Sequence, residues 1–185
     1  MIWIDLTEPD PKHNGAAMRN ERLAPIWKEE QDNEMTGLFG RGCLKKIKRS
    51  ELPMGTRVIS SRFHYKIKRH SAGEHKLKAK RLKVRLVVQG QHMSKAKGDF
   101  TDAFSPVPHL SGVRCCMSMA TAMKWKAVGV DLTQGFIQAE LPKDGKAIYI
   151  SPPPGHVEEP DVVYQVLKPL YGMPHSGRCL HVTWS

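Results

Sequence analysis

Residues 57–88 read RVISSRFHYKIKRHSAGEHKLKAKRLKVRLVV, and apolar side chains alternate with polar ones in two runs of this stretch. The runs cover 57–68 and 80–88, and their apolar members are Ile59, Phe63, Tyr65 and Ile67 in the first and Leu82, Val84, Leu86 and Val88 in the second. A period of two is typical of half-buried strands, and Ser71 and Gly73 between the runs favour a turn. The stretch therefore predicts an antiparallel hairpin with one apolar face and one cationic face.

Most of the net positive charge of the chain lies in this hairpin. The formal net charge is +11 at pH 7, and residues 57–85 contain eleven lysines and arginines against one acid, Glu74. Like charges on one face of a sheet repel each other, so an anionic partner that neutralises them would explain the arrangement. The alternative is a merely solvated surface, which is the usual reason for a run of charge. We favour a surface that binds a polyanion.

The composition is that of an ordinary globular protein. The chain has 185 residues, of which 40% are hydrophobic and 25% charged, enough for one sizeable domain or two small ones. No stretch approaches the ~20 apolar residues of a bilayer span, and the N-terminus lacks the pattern of a signal peptide. We therefore expect a cytoplasmic or nuclear protein that is not secreted and has no membrane partner. Four cysteines without CxxC spacing predict reduced thiols, not a zinc site or a disulfide framework.

The remaining segments predict short helices and strands in a mixed order, which indicates the α+β class. Residues 1–20 are expected to be disordered or frayed. The glycines at 37, 40 and 42 are expected to break the regular structure after the first helix and to form a turn. The expected helices are 21–35, 111–123 and a terminal helix after the LYGMPHSGR segment, and Ser111 is the expected N-cap of the second. The expected strands outside the hairpin are 127–131, 147–150 and 162–167. Residues 89–110 are expected to form a loop.

Five blocks of the sequence, in order, resemble one protein family. They are KAKRLKVRLVVQG at 78–90, DFTDAFSPVPHLSGVR at 99–114, VGVDLTQGFIQAEL at 128–141, YISPPPGH at 149–156 and LKPLYGMPHSGR at 167–178. Together they look like the consecutive blocks of a Ty1/copia-type retrotransposon reverse transcriptase, the RNA-dependent DNA polymerase domain of the pol polyprotein. The resemblance covers the N-terminal part of that domain, and the order of the blocks makes it specific.

The resemblance implies the fingers and first palm segment of a right-hand polymerase, with antiparallel sheets and packed helices. It assigns 21–110 to an N-terminal helix and fingers, 111–150 to the first palm segment and 151–185 to a return to the fingers. Such an enzyme extends a primer with deoxynucleotides copied from RNA or DNA. Its partners are therefore a template-primer and deoxynucleotide triphosphates, and its cofactor is a pair of Mg²⁺ ions held by palm aspartates.

Asp131 is the candidate catalytic and metal-binding residue. The expected strand 127–131 would end at this carboxylate and place it in a cleft, and a hard divalent cation prefers oxygen ligands. By the resemblance, Asp131 is the first of three catalytic aspartates. Without the resemblance, an aspartate that caps or turns the chain would be the preferred interpretation.

The other candidate residues would hold the nucleotide. Phe136 resembles the aromatic steric gate that packs against the deoxyribose, with a plain core phenylalanine as the alternative. Backbone amides of 132–135, which include Gly135, are expected to reach the triphosphate. The candidates for contacts to the triphosphate or to template phosphates are Lys66, Lys83 and Arg85.

Three positions depart from the family pattern. Gly135 stands where alanine is usual, His175 where glutamine helps to hold the nucleotide, and Leu180 where tryptophan is common. His175 can still hydrogen-bond, with a different geometry and a titratable ring. The sequence also has no Asp-Asp pair, whereas the family has a Y-x-D-D block downstream of Arg178, so we expect the chain alone not to polymerise. The alternatives are a non-catalytic basic nucleic-acid-binding module or a degenerate pseudogene product.

Overall fold

A computed structural model describes residues 9–69, 79–143, 145–156 and 158–185 of the chain. Within these ranges it has the mixed α+β composition that the sequence predicts. The helices are α1 (Asn14–Met18), α2 (Ala24–Gly40), α3 (Leu110–Ala122) and α4 (Ser176–Trp184). The strands are β1 (Leu44–Lys48), β2 (Val58–Ile59), β3 (Ser61–Arg69), β4 (Ala79–Val88), β5 (Ile148–Ile150) and β6 (Val162–Val166).

The hairpin forms as predicted. Strands β3 and β4 are antiparallel and pair Phe63 with Leu86, Tyr65 with Val84 and Ile67 with Leu82. These six side chains are buried, each with at most 3% exposure. The turn predicted at Ser71 and Gly73 lies outside the described residues.

Helix α2 covers the apolar face of the hairpin. The Trp27 ring meets the Tyr65 ring edge-on, with centroids 5.3 Å apart. The Gln31 amide donates a hydrogen bond of 2.8 Å to the Tyr65 hydroxyl. These contacts are possible because Trp27 and Gln31 are four residues apart and share one side of the helix.

The predicted break is wrong at Gly37, which lies inside α2, whereas α2 ends at Gly40. Met35 and Leu38 on the last turns are buried, with 2% and 4% exposure. Burial of two such side chains outweighs the cost of about 1 kcal/mol for each helical glycine. The turn comes at Gly42, whose φ of 63° lies in the left-handed region.

A second sheet has the strand order β1-β6-β5-β2. Strand β6 is antiparallel to both β1 and β5, whereas β5 and β2 run parallel. One face of this sheet lies in the core shared with the hairpin and α2. On this face Leu44 is opposite Val166, and Ile150 and Tyr164 are fully buried. Strand β1 is not among the elements that the sequence predicts.

The prediction that the N-terminus is disordered or frayed is wrong for residues 9–20. Residues 1–8 lie outside the described ranges. Asp10 accepts a hydrogen bond of 2.9 Å from the Ile67 backbone N–H and forms a 2.7 Å ion pair with Lys66. Asn14, at the start of α1, accepts a hydrogen bond of 3.1 Å from the Tyr65 hydroxyl. Polar contacts to β3 thus hold this segment, although it has few apolar residues.

The region around α3 is the most exposed part of the described chain, and two predictions fail there. Residues 127–131 form no strand: Val128 and Val130 are 82% and 85% exposed, and no described strand pairs with them. An extended segment without a hydrogen-bonding neighbour forms no ladder. Ser111 is not the N-cap, since α3 begins at Leu110 with His109 as its cap. The Ser111 hydroxyl instead hydrogen-bonds to His109 Nδ1 at 2.7 Å.

Candidate functional site

The cationic face of the hairpin consists of side chains that alternate with the buried ones, exposed along β3 and partly half-buried along β4. Lys66 lies opposite Lys83, and Lys68 lies opposite Arg81, so like charges are cross-strand neighbours. Two acids from other segments approach its edges: Asp10 pairs with Lys66 at 2.7 Å, and Glu30 lies 3.7 Å from Arg81. The face is therefore cationic but partly neutralised at both strands.

Lys83 and Arg85 are half-buried, whereas Lys66, the third candidate phosphate ligand, is exposed. The environment of Lys83 also changes its protonation equilibrium. Burial lowers the pKa of its ammonium, and the nearby Arg85 and Lys68 lower it further. Next to it, burial raises the pKa of the Glu34 carboxyl, although that group accepts a hydrogen bond of 3.2 Å from the Leu86 N–H. Both shifts have the same first cause, the removal of a charge from water. An anion bound at Lys83 would gain from this partial desolvation, because charges interact more strongly where water is excluded.

Three of the family blocks meet at Tyr171. The guanidinium carbon of Arg85 lies 4.8 Å from the centre of the Tyr171 ring. On the same residue, the Phe136 ring packs at a centroid distance of 5.3 Å and an interplanar angle of 69°. Tyr171 thus connects the cationic hairpin to the segment that follows Asp131. Tyr171 was not among the predicted site residues, and its one signal in the sequence was an aromatic residue inside the fifth family block.

Two glycines allow the Tyr171 segment to approach the end of β4. The Tyr171 carbonyl accepts a hydrogen bond of 2.8 Å from the Val88 N–H. A Cβ atom on Gly172, whose φ is 85°, would lie 2.1 Å from the Val88 oxygen. A Cβ on Gly90 would lie 2.0 Å from the Gly172 oxygen. Both distances are far inside van der Waals contact, so only glycine fits at either position.

His175 is buried and does not face an open groove. Its ring stacks on Phe100 with a centroid distance of 5.8 Å and an angle of 15° between the ring planes. It is 3% exposed, and its Nδ1 has no hydrogen-bond partner among the described residues. Burial lowers the pKa of the imidazole. The nucleotide contact assigned to His175 remains a prediction, and the structure gives the residue a packing role.

The segment around Phe100 is fixed to α4 by polar contacts. Arg178 forms an ion pair of 3.0 Å with Asp102, and the Ser105 hydroxyl donates a 3.2 Å hydrogen bond to the Gly177 carbonyl. A hydrogen bond from the Phe104 N–H is the main reason that the pKa of the Asp102 carboxyl is lowered. The second and fifth family blocks are therefore in direct contact.

Gly135 and Leu180, two of the departures from the family pattern, are neighbours. A Cβ on Gly135 would lie 3.4 Å from Leu180 Cδ2, an ordinary contact distance. Gly135 begins a short 3₁₀ turn, Gly135–Gln138, which follows Gln134 in the left-handed conformation. Residues 135 and 180 thus lie at one place where this turn packs against α4.

Asp131 is exposed and lies in irregular backbone, so the predicted position at the end of a strand is wrong. Its carboxylate is open to solvent. Since Asp131 precedes Phe136 by five residues, its Cα lies at most about 18 Å from that of Phe136. Within the described ranges no group of three or more His, Cys, Asp or Glu side chains could hold a metal ion. Asp131 therefore offers one oxygen ligand, which does not fit a pair of Mg²⁺ ions by itself.

We expect the free energy of unfolding to fall as the pH decreases below about 6.5, partly because of His175. The folded-state pKa of its ring lies below the ordinary value of 6.5, so the unfolded chain takes up the proton at a higher pH. The stabilisation is complete above the unfolded value and is lost as the pH falls from there through the folded-state pKa. His175→Gln should remove a slope of at most about 1.4 kcal/mol per pH unit.

The measurement is denaturant unfolding of both proteins at about pH 7.5 and about pH 5.5. His64→Gln, at an exposed histidine of the hairpin, is the matched variant and should keep the wild-type slope. An equal pH dependence in the wild type and in His175→Gln would contradict the assignment.

The comparisons with known proteins identify the class. The family described as "Reverse transcriptase (RNA-dependent DNA polymerase)" matches residues 45–185, and the chain belongs to this family. It is 25% identical over 177 residues to the retrovirus-related Pol polyprotein from transposon RE1 of Arabidopsis thaliana, a match that covers 95% of this chain and 11% of the relative. It is 31% identical over 147 residues to the corresponding polyprotein from transposon TNT 1-94 of Nicotiana tabacum, covering 78% of this chain and 10% of the relative.

The chain thus spans about a tenth of the length of the curated relatives it matches. No solved structure matches it. The resemblance to a retrotransposon reverse transcriptase is confirmed. No described helix has the length and apolar character needed to cross a membrane.

Proposed function

We propose that this chain forms the nucleotide- and template-binding part of a retrotransposon reverse transcriptase. In this proposal the hairpin belongs to the fingers, residues 111–150 are the first palm segment, and 151–185 return to the fingers. The ligands are a deoxynucleotide triphosphate and an RNA or DNA template-primer. The observation that carries the proposal is the contact series Arg85, Tyr171 and Phe136.

The three residues combine the chemistry that a nucleotide requires. Arg85, next to the partly desolvated Lys83, supplies positive charge for phosphate oxygens. The Phe136 ring supplies an apolar surface that can pack against a deoxyribose. Because Tyr171 contacts both side chains, the cation and the ring are held in a fixed relation. The position of the arginine against the gate residue is thus preorganised.

The proposal assigns binding to these residues and one metal ligand to Asp131. Mg²⁺, when bound, would activate the primer hydroxyl and stabilise the leaving pyrophosphate. Asp131 can supply one carboxylate for it, and the described residues supply no cluster that would complete the site. We therefore propose that these 185 residues bind without polymerising by themselves.

Charge reversal on the hairpin tests the proposal. We expect Lys66→Glu/Lys83→Glu/Arg85→Glu to weaken binding of a labelled single-stranded oligonucleotide at least about tenfold. The slope of log affinity against log salt concentration should fall by about 2, since each phosphate contact on a single strand contributes roughly 0.7. Fluorescence anisotropy over a salt series measures both quantities.

The matched variant changes the same charge elsewhere. Lys12→Glu/Arg19→Glu/Lys48→Glu alters three exposed basic residues outside the hairpin and should leave most of the slope intact. Because Lys66→Glu also places two acids together at Asp10, thermal unfolding must show that both triple variants are folded. A folded hairpin variant with the wild-type salt slope would refute the proposed contact surface.

A further inference from the structure

We propose that Asp10 is an internal competitor of the ligand: it occupies an anion site made by the Lys66 ammonium and the Ile67 N–H, and a bound nucleic-acid strand displaces it. Residues 9–12, which carry Asp10, then act as an autoinhibitory strap on the hairpin. The strap regulates the hairpin as a binding surface, and this role rests on the proposed function.

The two carboxylate oxygens of Asp10 make the contacts that two oxygens of a phosphate would make. Oδ2 lies 2.7 Å from Lys66 Nζ, and Oδ1 accepts a hydrogen bond of 2.9 Å from the Ile67 N–H. An ammonium and a backbone N–H are donors that bind phosphate oxygens as well as carboxylate oxygens. Because Lys66 is a candidate for a phosphate contact, the strap and a strand compete for the same donor.

The charge of the N-terminal segment is opposite to that of the hairpin. Residues 1–12 contain three acids, Asp5, Glu8 and Asp10, against one lysine, whereas residues 57–85 contain eleven lysines and arginines against one acid. An acid held against a cationic surface lowers the positive potential that attracts a polyanion. The contact of Asp10 with the hairpin therefore opposes binding of a strand.

The strap is anchored behind Asp10, at Asn14 and Ala17 of α1. Asn14 Oδ1 accepts hydrogen bonds of 3.1 Å from the Tyr65 hydroxyl and 3.0 Å from Gln31 Nε2. Ala17 is fully buried. Asp10 is thus tethered four residues from a fixed point, and so short a tether keeps the effective concentration of its carboxylate at the hairpin high.

The contact of Asp10 can open without the loss of a helix or strand. Residues 9–12 belong to no such element, and Pro9 and Pro11 on either side of Asp10 have no N–H that a ladder could use. The side chains of the ion pair are 58% exposed at Lys66 and 27% exposed at Asp10. An ion pair so open to water contributes little, so a strand that makes several phosphate contacts at once displaces Asp10.

The opposite edge of the hairpin provides an internal comparison. There the Glu34 carboxylate accepts a hydrogen bond of 3.2 Å from the Leu86 N–H of β4. Glu34 lies within the 17-residue helix α2, which packs against β4, so this acid can leave only if the helix moves. Of these two acids at the edges of the hairpin, Asp10 is therefore the one that a ligand can displace by moving a few residues.

Neutralisation of Asp10 in the full chain tests the competition. Asp10→Asn keeps an oxygen for the Ile67 N–H and removes the charge that engages Lys66, whereas Glu29→Gln removes the charge of one exposed acid on α2. We expect Asp10→Asn to raise the affinity for a labelled oligo(dT) strand about threefold more than Glu29→Gln, since an exposed ion pair changes an equilibrium by a factor of roughly 1.4 to 5. Fluorescence anisotropy measures the affinities.

Lys66→Met shows whether the gain comes from this ion pair. In a chain that already carries Lys66→Met, Asp10→Asn should raise the affinity no more than Glu29→Gln does, because the contact it releases is absent. Equal gains for the two neutralisations in the wild-type background, or an extra gain that persists without Lys66, would overturn the proposal.

The carboxyl carbon of Asp10 reports the displacement itself. Its NMR signal, assigned by its loss in Asp10→Asn, should move on saturation with oligo(dT) towards the position of a fully solvated aspartate. The signal of Asp161, whose carboxylate accepts a 2.6 Å hydrogen bond from the Ser50 hydroxyl, should stay in place. An Asp10 signal that keeps its position in the complex would show that the strap remains bound, and the proposal fails.

The outcomes separate the strap from the function on which it rests. If charge reversal on the hairpin abolishes binding while Asp10→Asn gains no more than Glu29→Gln, the strap is refuted and the proposed function stands. If the hairpin variant binds oligo(dT) like the wild type, the strand does not use the hairpin and both proposals fail.

Discussion

Gly172→Ala is expected to lower the free energy of unfolding by about 3 kcal/mol or more, enough to unfold a domain of marginal stability. The added Cβ would lie 2.1 Å from the Val88 oxygen and 2.6 Å from a methyl carbon of Val87. The first of these obstacles is backbone, which cannot turn aside as a flexible side chain can. In addition, a φ of 85° is a conformation that residues other than glycine rarely adopt.

Denaturant unfolding followed by circular dichroism measures the effect. Gly112→Ala is the matched substitution, because a Cβ on Gly112 in α3 meets nothing within 4 Å. There the alanine should raise the free energy of unfolding by about 0.5–1 kcal/mol, through helix propensity alone. Similar stability of the Gly172 and Gly112 variants would show that the Tyr171 segment does not pack against β4 as described.

Trp27→Ala is expected to cost about 3–5 kcal/mol of stability. Trp27 is 1% exposed and lies between α2 and the apolar face of the hairpin, where its ring meets that of Tyr65 at 5.3 Å. Removing the indole leaves a cavity between α2 and β3, and the surrounding structure can collapse into it only in part. The loss should appear as a large decrease in the midpoint of denaturant unfolding.

Trp184→Ala provides the comparison at the other end of the chain. Trp184 is 60% exposed at the end of α4, so its removal should change stability by less than about 0.5 kcal/mol. Equal effects at the two tryptophans would mean that α2 does not cover the hairpin.

The elements that were predicted well from the sequence are those whose pattern lies within a few consecutive residues. The alternation from Ile59 to Ile67 and from Leu82 to Val88 indicated both strands of the hairpin, because each buried side chain is two residues from the next. Strands β5 and β6 were predicted within one residue as short apolar segments, at 147–150 and 162–167. By contrast, β1 has three lysines in five residues, and its burial depends on pairing with β6, more than a hundred residues away.

The candidate site was predicted in its residues but not in its arrangement. Phe136 and Arg85 were selected one by one, and Tyr171 joins them through contacts that no spacing in the sequence reveals. Asp131 was expected at the end of a strand on the strength of its apolar neighbours. An apolar run becomes a strand only where another strand accepts its hydrogen bonds, and the sequence of one segment does not show this. The burial of His175 against Phe100 likewise depends on a fold, not on a motif.

Lys66 pairs with Lys83 and Lys68 pairs with Arg81, so salt should affect the stability of the hairpin and its binding of a polyanion in opposite directions. Counterions around the hairpin screen the repulsion between the like charges of its two strands and so stabilise it. The same counterions occupy the place of a bound polyanion. Low salt should therefore increase the affinity for a polyanion and decrease the stability of the unliganded protein. A polyanion that neutralises the hairpin would also stabilise the pairing of its two strands.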